Sequence, residues 1–331
     1  MPIDRRLIFC FVVAASLTAG VPSAAQSLDP AVKAAGELPR LHSLIVQHRG
    51  QVVLERYFNG RRPTSLANVK SVSKSIIAAL VGIAADRKLL RIDDPIAKYL
   101  GASMPGSDAK QAITVEDLLT MRSGLESTSS RNYGAWVQSA NWVRHALARP
   151  LVAKPGTEMI YSTGNSHLLS AVLTRATGMS TWAFAQDALA KPLGFSLAQW
   201  PRDPQGIYFG GNDMLLTPRQ MLSIGELYLN RGKTDARQVL SEGFVRETFI
   251  AKGRSRISGR EYGYGWWIRE MAGRDAFYAW GFGGQYIVLV PSADLIVVST
   301  SASTVAEERR SHRRSVEEII EYLIVAPLAD R

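Results

Sequence analysis

Ser71 and Lys74 are the first residues whose types and spacing could do chemistry. They stand three apart in Val69-Lys70-Ser71-Val72-Ser73-Lys74-Ser75, at the head of an apolar run from Ile76 to Leu90. On a helix that spacing puts both side chains on one face, a turn from each other. A serine hydroxyl attacks a carbonyl well only when something removes its proton. A lysine can do so only when neutral, and its reference pKa is about 10.4. The apolar run behind Lys74 makes the charged form costly, and the positive end of the helix dipole acts in the same direction. One reading is therefore a nucleophile with its base. The other is a polar first turn, with Ser71 as a cap and Lys74 solvated. A second copy of the tetrad, Ser107-Asp108-Ala109-Lys110, lies in a loop-like stretch with no apolar helix behind it.

Two further stretches fit with this pair. Tyr161-Ser162-Thr163-Gly164-Asn165 lies between a Pro155-Gly156 turn and a helical pattern. A phenol there can exchange a proton with an amine, a hydroxyl or a leaving group; the alternative is a core tyrosine making one hydrogen bond. Ala279-Trp280-Gly281-Phe282-Gly283-Gly284-Gln285 reads as a glycine-rich strand edge, which lets another backbone or a ligand come close. A backbone N–H from it, together with that of Ser71, could hold an oxyanion. The alternative is a bulge or turn. Other chemistries fail. Gly178-Met179-Ser180 and Gly194-Phe195-Ser196 lack the last glycine of a nucleophile elbow. Gly232-Lys233-Thr234 lacks the first glycine of a phosphate loop, and Gly281-Phe282-Gly283 lacks the third of a dinucleotide fingerprint. The histidines show no metal-ligand spacing, so neither metal nor cofactor is expected. His167, soon after Tyr161, is read as a packed or surface histidine.

The elements that must position these groups are legible in outline. Leu28 to Gly36 is a short helical lead; Leu41 to His48 and Gln51 to Phe58 form a hairpin around Arg49-Gly50. The middle is helical: Ile96 to Leu100, Thr114 to Met121 with Thr114 as cap, a packed stretch from Ser127 to Pro150, Ser166 to Thr177, Trp182 to Ala190, Pro218 to Leu229 and Glu242 to Ile250. Asp93 and Asp94 are read as caps. After Lys252 come short aromatic and β-branched runs, Tyr262 to Ile268, Ala276 to Trp280, Gln285 to Val290 and Asp294 to Ser299, then a helix from about Ser315 to Val325. The expected fold class is α+β: one antiparallel sheet built from both termini and flanked by helices, plus a mostly helical lobe. The boundaries are 26–90 with 251–331 for the sheet lobe and 91–250 for the helical lobe, with the active site between them.

Bulk properties narrow the partners. The 331 residues carry a formal net charge of +10, which favours weak attraction to anionic surfaces or substrates. No basic stripe with interleaved aromatics is present, so a nucleic-acid partner is not expected. The cluster Arg309 to Arg314 is balanced by nearby glutamates and is read as a solvated helix face. Residues 1–25 read as a signal peptide: Arg5 and Arg6, an apolar run from Leu7 to Val21, and small residues Ser23 and Ala25 before Gln26. The expectation is a periplasmic or secreted protein with no membrane span after cleavage. Its one cysteine, Cys10, would leave with the leader.

Together the three stretches resemble the serine β-lactamase and penicillin-binding-protein superfamily, in its class C-like and esterase branch. Ser71-Val-Ser-Lys74 is similar to the family's S-x-S-K, Tyr161 to the tyrosine of its Y-x-N, and Ala279-Trp280-Gly281 stands where its K-T-G strand would be. Ile92 to Pro95, Ile113 to Gly124, Leu216 to Arg219 and Gly283 to Gln285 agree with it as well. The resemblance implies a β-lactamase/transpeptidase-like fold. It also implies that Ser71 is acylated, that Lys74 and Tyr161 share the base and acid work, and that the N–H groups of Ser71 and Phe282, after Gly281, form the oxyanion hole. Two departures bear on substrate. Thr163 takes the place of the asparagine in Y-x-N, and Ala279, followed by Trp280, replaces the cation that would meet a β-lactam carboxylate. The expectation is an exported serine hydrolase of small esters or amides, akin to the 6-aminohexanoate-dimer hydrolases. A D-alanyl-D-alanine carboxypeptidase, a class C-like β-lactamase and, last, a non-catalytic binder are the alternatives.

Overall fold

The computed structural model describes residues 28–104, 108–235 and 237–329. The leader with Cys10, and Ser107 of the second tetrad, lie outside them. Ten strands are present among the described residues: β1 (Leu41–His48), β2 (Gln51–Tyr57), β3 (Ala67–Asn68), β4 (Leu215–Leu216), β5 (Gly253–Arg254), β6 (Glu261–Tyr262), β7 (Trp267–Met271), β8 (Arg274–Gly281), β9 (Gln285–Val290) and β10 (Leu295–Ser301). Eight form one sheet in the order β2-β1-β10-β9-β8-β7-β6-β5, and β3 pairs with β4 apart from it. Every pairing is antiparallel. The N-terminal hairpin thus sits beside the last strand, as expected of a sheet built from both termini.

Period-two alternation feeds two cores. Ile287 and Leu289 of β9 face the core that contains the helical middle. Tyr286, Val288 and Val290 face the opposite core, with α1 (Asp29–Gly36) and the C-terminal helices. The sheet is therefore covered on both faces. The principal helix is α2 (Ser73–Asp86), in which every residue from Ser73 to Ala84 is buried. A helix apolar all round belongs inside a molecule. Its Gly82 meets Leu240 and Phe244, 2.6 Å from where a Cβ would stand.

Further helices are α3 (Val115–Leu119), α4 (Thr163–Thr177), α5 (Pro218–Leu229) and α6 (Arg309–Glu318). Thr114 caps α3 as expected, in a reciprocal box with Asp117. Helix α4 begins three residues earlier than the apolar period suggests, directly after Tyr161-Ser162, and packs on α2 and α3.

Several expectations need correction. Tyr262 to Ile268 is not one strand: a turn at Gly263–Gly265 separates β6 from β7. A Cβ at Gly263 would lie 2.0 Å from the Thr248 carbonyl oxygen, and Gly265 has φ +78 and abuts Ala78. The turn exists to dock on α2, where Ser75 Oγ donates to the Gly265 carbonyl at 2.7 Å. Asp93 and Asp94 cap no helix. Asp93 pairs with Arg91, and Asp94 gathers the Arg91 N–H, Lys98 Nζ and Tyr99 hydroxyl. The stretch from Ser127 to Pro150 holds only short helices, Tyr133–Val137 and Trp142–Ala148, although Trp136 and Trp142 are buried. Lys110 of the second tetrad is tied to the Leu147 and Arg149 carbonyls.

Candidate active site

Ser71 lies in a 3₁₀ turn, Lys70–Val72, that runs straight into α2. The turn is strained: Lys70 has φ +50, a left-handed conformation that costs a non-glycine residue roughly 1 kcal/mol or more. Three contacts hold it. The Lys70 N–H donates to Asn68 Oδ1 at 3.0 Å, and Lys70 Nζ reaches Asp213 Oδ1 at 2.8 Å. Asn68 Nδ2 donates to the same Asp213 oxygen, also at 2.8 Å. Strand β8 presses on the turn from the sheet side. A Cβ at Gly281 would stand 2.2 Å from the Val69 carbonyl oxygen, so hydrogen is the only side chain that fits.

Lys74 follows one turn later, 3 % exposed. Its Nζ is 3.0 Å from Ser71 Oγ and donates to the Gly211 carbonyl at 2.5 Å. Burial lowers the amine from 10.5 to about 7, and the Asp213 carboxylate acts against that shift. At pH 7 a large share of the amine is therefore neutral and able to accept a proton.

Tyr161 approaches from the other side, with Lys74 Nζ 5.2 Å from its ring centroid. Burial pushes its phenol up to about 12, and its hydrogen bond with Ser71 pulls the other way. The phenol thus keeps its proton at neutral pH. Its ring stacks on Trp267 at 5.5 Å and meets Tyr262 edge-on at 6.3 Å, and the chain leading into helix α4 is anchored by Ser127 Oγ donating to the Tyr161 carbonyl.

The structure thus brings Ser71, Lys74 and Tyr161 together, with Gly281 beside them. Trp280 is half-buried and Phe282 exposed at the end of β8. Arg313 lies over the Trp280 ring at 5.3 Å and Arg309 over Phe282 at 5.9 Å. Arg309 and Arg313 thus also reach the end of β8, while Arg310 and Arg314 of the same cluster are exposed, in keeping with a solvated helix face. Thr163 does not offer its hydroxyl to the serine: it is buried against Ser129 Oγ at 2.9 Å. Asn165 is engaged by Ser123 Oγ at 3.0 Å. Ala279 is buried against the core that contains α2, so strand β8 presents no cation at that position.

Sequence reasoning missed the Gly211 carbonyl, Asn68, Lys70 and Asp213. The available signal was Gly210-Gly211-Asn212-Asp213, a glycine pair before polar residues, just ahead of Leu216 to Arg219. His167, read as a packed or surface residue, is wholly buried and paired with Asp203.

The family described as beta-lactamase matches residues 42–320. The chain belongs to the beta-lactamase family. It is accordingly a serine hydrolase. It is 22% identical over 294 residues to a 6-aminohexanoate-dimer hydrolase from Paenarthrobacter ureafaciens, covering 80% of this chain and 73% of that one. The solved structure of EstCE1, a hydrolase with promiscuous acyltransferase activity, superposes with a TM-score of 0.72 at 19% identity, over 90% of this chain and 99% of that one. An octameric penicillin-binding protein homologue from Pyrococcus abyssi gives 0.71 at 19% identity, over 93% and 78%. At such identities the structural likeness speaks to the β-lactamase/transpeptidase-like fold alone.

Proposed function

We propose that this protein is an exported hydrolase of small esters or amides, working through an acyl-serine at Ser71. The observation that carries this reading is the 3.0 Å contact between Ser71 Oγ and an amine that burial has lowered to about 7. With one N–H of Lys74 committed to the Gly211 carbonyl, the lone pair of the neutral amine is free to face the serine hydroxyl. Lys74 takes the Ser71 proton as Oγ attacks the substrate carbonyl. The N–H groups of Ser71 and Phe282 bind the oxyanion. Tyr161, which keeps its proton, hands it to the departing alcohol or amine and regains one from Lys74. Water then attacks the acyl-serine, its proton passing through the same pair to Ser71 Oγ, whose bond to the acyl carbon breaks as the carboxylic acid leaves and the hydroxyl is restored.

Substrate class follows from β8. Buried Ala279 offers no cation to a β-lactam or peptide carboxylate, a charge-assisted bond worth about 1.5–3 kcal/mol. Tyr262 and Trp267 are buried behind Tyr161, and the half-buried Trp280 lies 6.5 Å from Trp267; this aromatic setting suits an uncharged acyl group. Export rests on the pattern of residues 1–25.

The test is labelling by a fluorophosphonate probe followed by intact-mass measurement, with p-nitrophenyl butyrate and nitrocefin turned over side by side. The expected result is one adduct, absent in Ser71→Ala, with the ester strongly preferred. Labelling that survives in Ser71→Ala removes Ser71 from the mechanism. Nitrocefin turnover matching that of the ester moves the assignment to a class C-like β-lactamase.

A further inference from the structure

His167 and Asp203 form a buried pair that the mechanism above does not use. His167 lies on α4, one turn after Thr163, and its side chain is fully enclosed. Trp136, Trp142 and Phe209 surround the ring at centroid distances of 5.8, 5.3 and 6.0 Å. His167 Nε2 is 3.0 Å from Asp203 Oδ2. The other carboxylate oxygen accepts the Gln205 and Ile207 N–H groups, each at 2.9 Å. On the far side of the ring, the Gly210 N–H donates to His167 Nδ1 at 3.4 Å.

These partners fix the tautomer. A carboxylate can only accept, so Nε2 carries the proton. A backbone N–H can only donate, so Nδ1 presents its lone pair. A doubly protonated ring would set N–H against N–H at Gly210. The next residue is Gly211, whose carbonyl receives Lys74 Nζ. This glycine pair lies directly on the first turn of α4. A Cβ at Gly210 would be 2.1 Å from the Ser166 carbonyl oxygen, and one at Gly211 2.8 Å from Thr163 Cγ2. The helix that follows Tyr161 therefore also sets, through His167, the carbonyl that orients the base.

We propose that His167 and Asp203 are positioning residues for Lys74: together they anchor the Gly210 N–H, and with it the Gly210-Gly211 segment, so that the Gly211 carbonyl claims one amine N–H and leaves the lone pair aimed at Ser71. This rests on the acyl-serine reading. The Gly211 carbonyl also favours the ammonium form, so displacing it makes Lys74 a weaker base as well as a misdirected one.

The experiment compares His167→Leu, which has no acceptor, with His167→Asn, whose amide oxygen can take the place of Nδ1. Fluorophosphonate labelling of the wild type comes first: no labelling means that the hydrolase reading itself fails. With labelling established, His167→Leu is expected to lower kcat on p-nitrophenyl butyrate at least ~10-fold, within the range for a misplaced catalytic group. KM changes little, and the acid limb of kcat/KM moves to lower pH. His167→Asn restores most of kcat and the limb. A His167→Leu protein that melts earlier but keeps wild-type kcat and the same limb overturns the inference and leaves the hydrolase standing. Should that variant not fold, nitrogen NMR of ¹⁵N-histidine wild type decides. The Nε2–H tautomer at His167 supports the proposal, and an Nδ1–H tautomer there refutes it.

Discussion

Replacing Lys74 by methionine should make the protein more stable, and by an amount that depends on pH. Lys74 is buried, and burial lowers its amine from 10.5 to about 7. In the unfolded chain the same amine titrates near 10.4. Between those values the unfolded state holds a proton that the folded state has released. Wild-type stability therefore rises with pH through this window and is lost as pH falls through the folded-state value. Each pH unit fully inside the window is worth 1.36 kcal/mol, and integration from pH 6 to pH 9 gives about 3 kcal/mol. Methionine fills a similar volume and does not titrate. The stability advantage of Lys74→Met over wild type should then be about 3 kcal/mol larger at pH 6 than at pH 9, all other titrations cancelling in the difference. Urea denaturation of both proteins at pH 6, 7.5 and 9 measures this. A gap that stays constant to within about 0.5 kcal/mol refutes the argument, because it means that the amine pays no desolvation cost on folding. Ester turnover in the same variant should fall at least ~10²-fold, the low end for a lost general base.

Gly281→Ala should reduce kcat at least ~10-fold, since the new methyl meets the Val69 carbonyl and moves β8 away from Ser71; unchanged steady-state kinetics would show that the strand yields there. Asp213→Asn removes the carboxylate that props up the Lys74 amine, so the acid limb of kcat/KM should move below its wild-type position; a move to higher pH contradicts the electrostatic assignment. Thr114→Ala breaks the capping box of α3 and should cost about 1 kcal/mol by chemical denaturation with no effect on KM.

The sequence made some of this architecture legible and hid the rest for identifiable reasons. The hairpin could be read because Arg49-Gly50 must bend between alternating strands, and both residues do take positive φ. The placing of Ser71 and Lys74 could be read because i, i+3 spacing at the head of an apolar run has one geometric outcome. The turn at Gly263–Gly265 could not, because its cause is a contact with α2, far away in sequence. Strands β3 and β4 are two residues long and carry no period. The Gly211 carbonyl is a backbone atom, and no residue type announces it. His167 looked inert because its partner Asp203 stands 36 residues away, and nothing in the intervening chain ties the two before the fold does.

Strand β1 finds its inner neighbour only in β10, from Leu41 opposite Ser301 to His48 opposite Leu295. On a growing chain the hairpin of β1 and β2 must wait until β10 has been made before its open edge is closed. Until then it is an unsealed template for another molecule, and its closure is a long-range event of the kind that slows folding. Synthesis and final assembly are thereby separated in time. A circular permutant that began at β10 and ran directly into β1 would abolish that delay, and its faster refolding at unchanged stability would show how much of the folding time is spent waiting for the ends to meet.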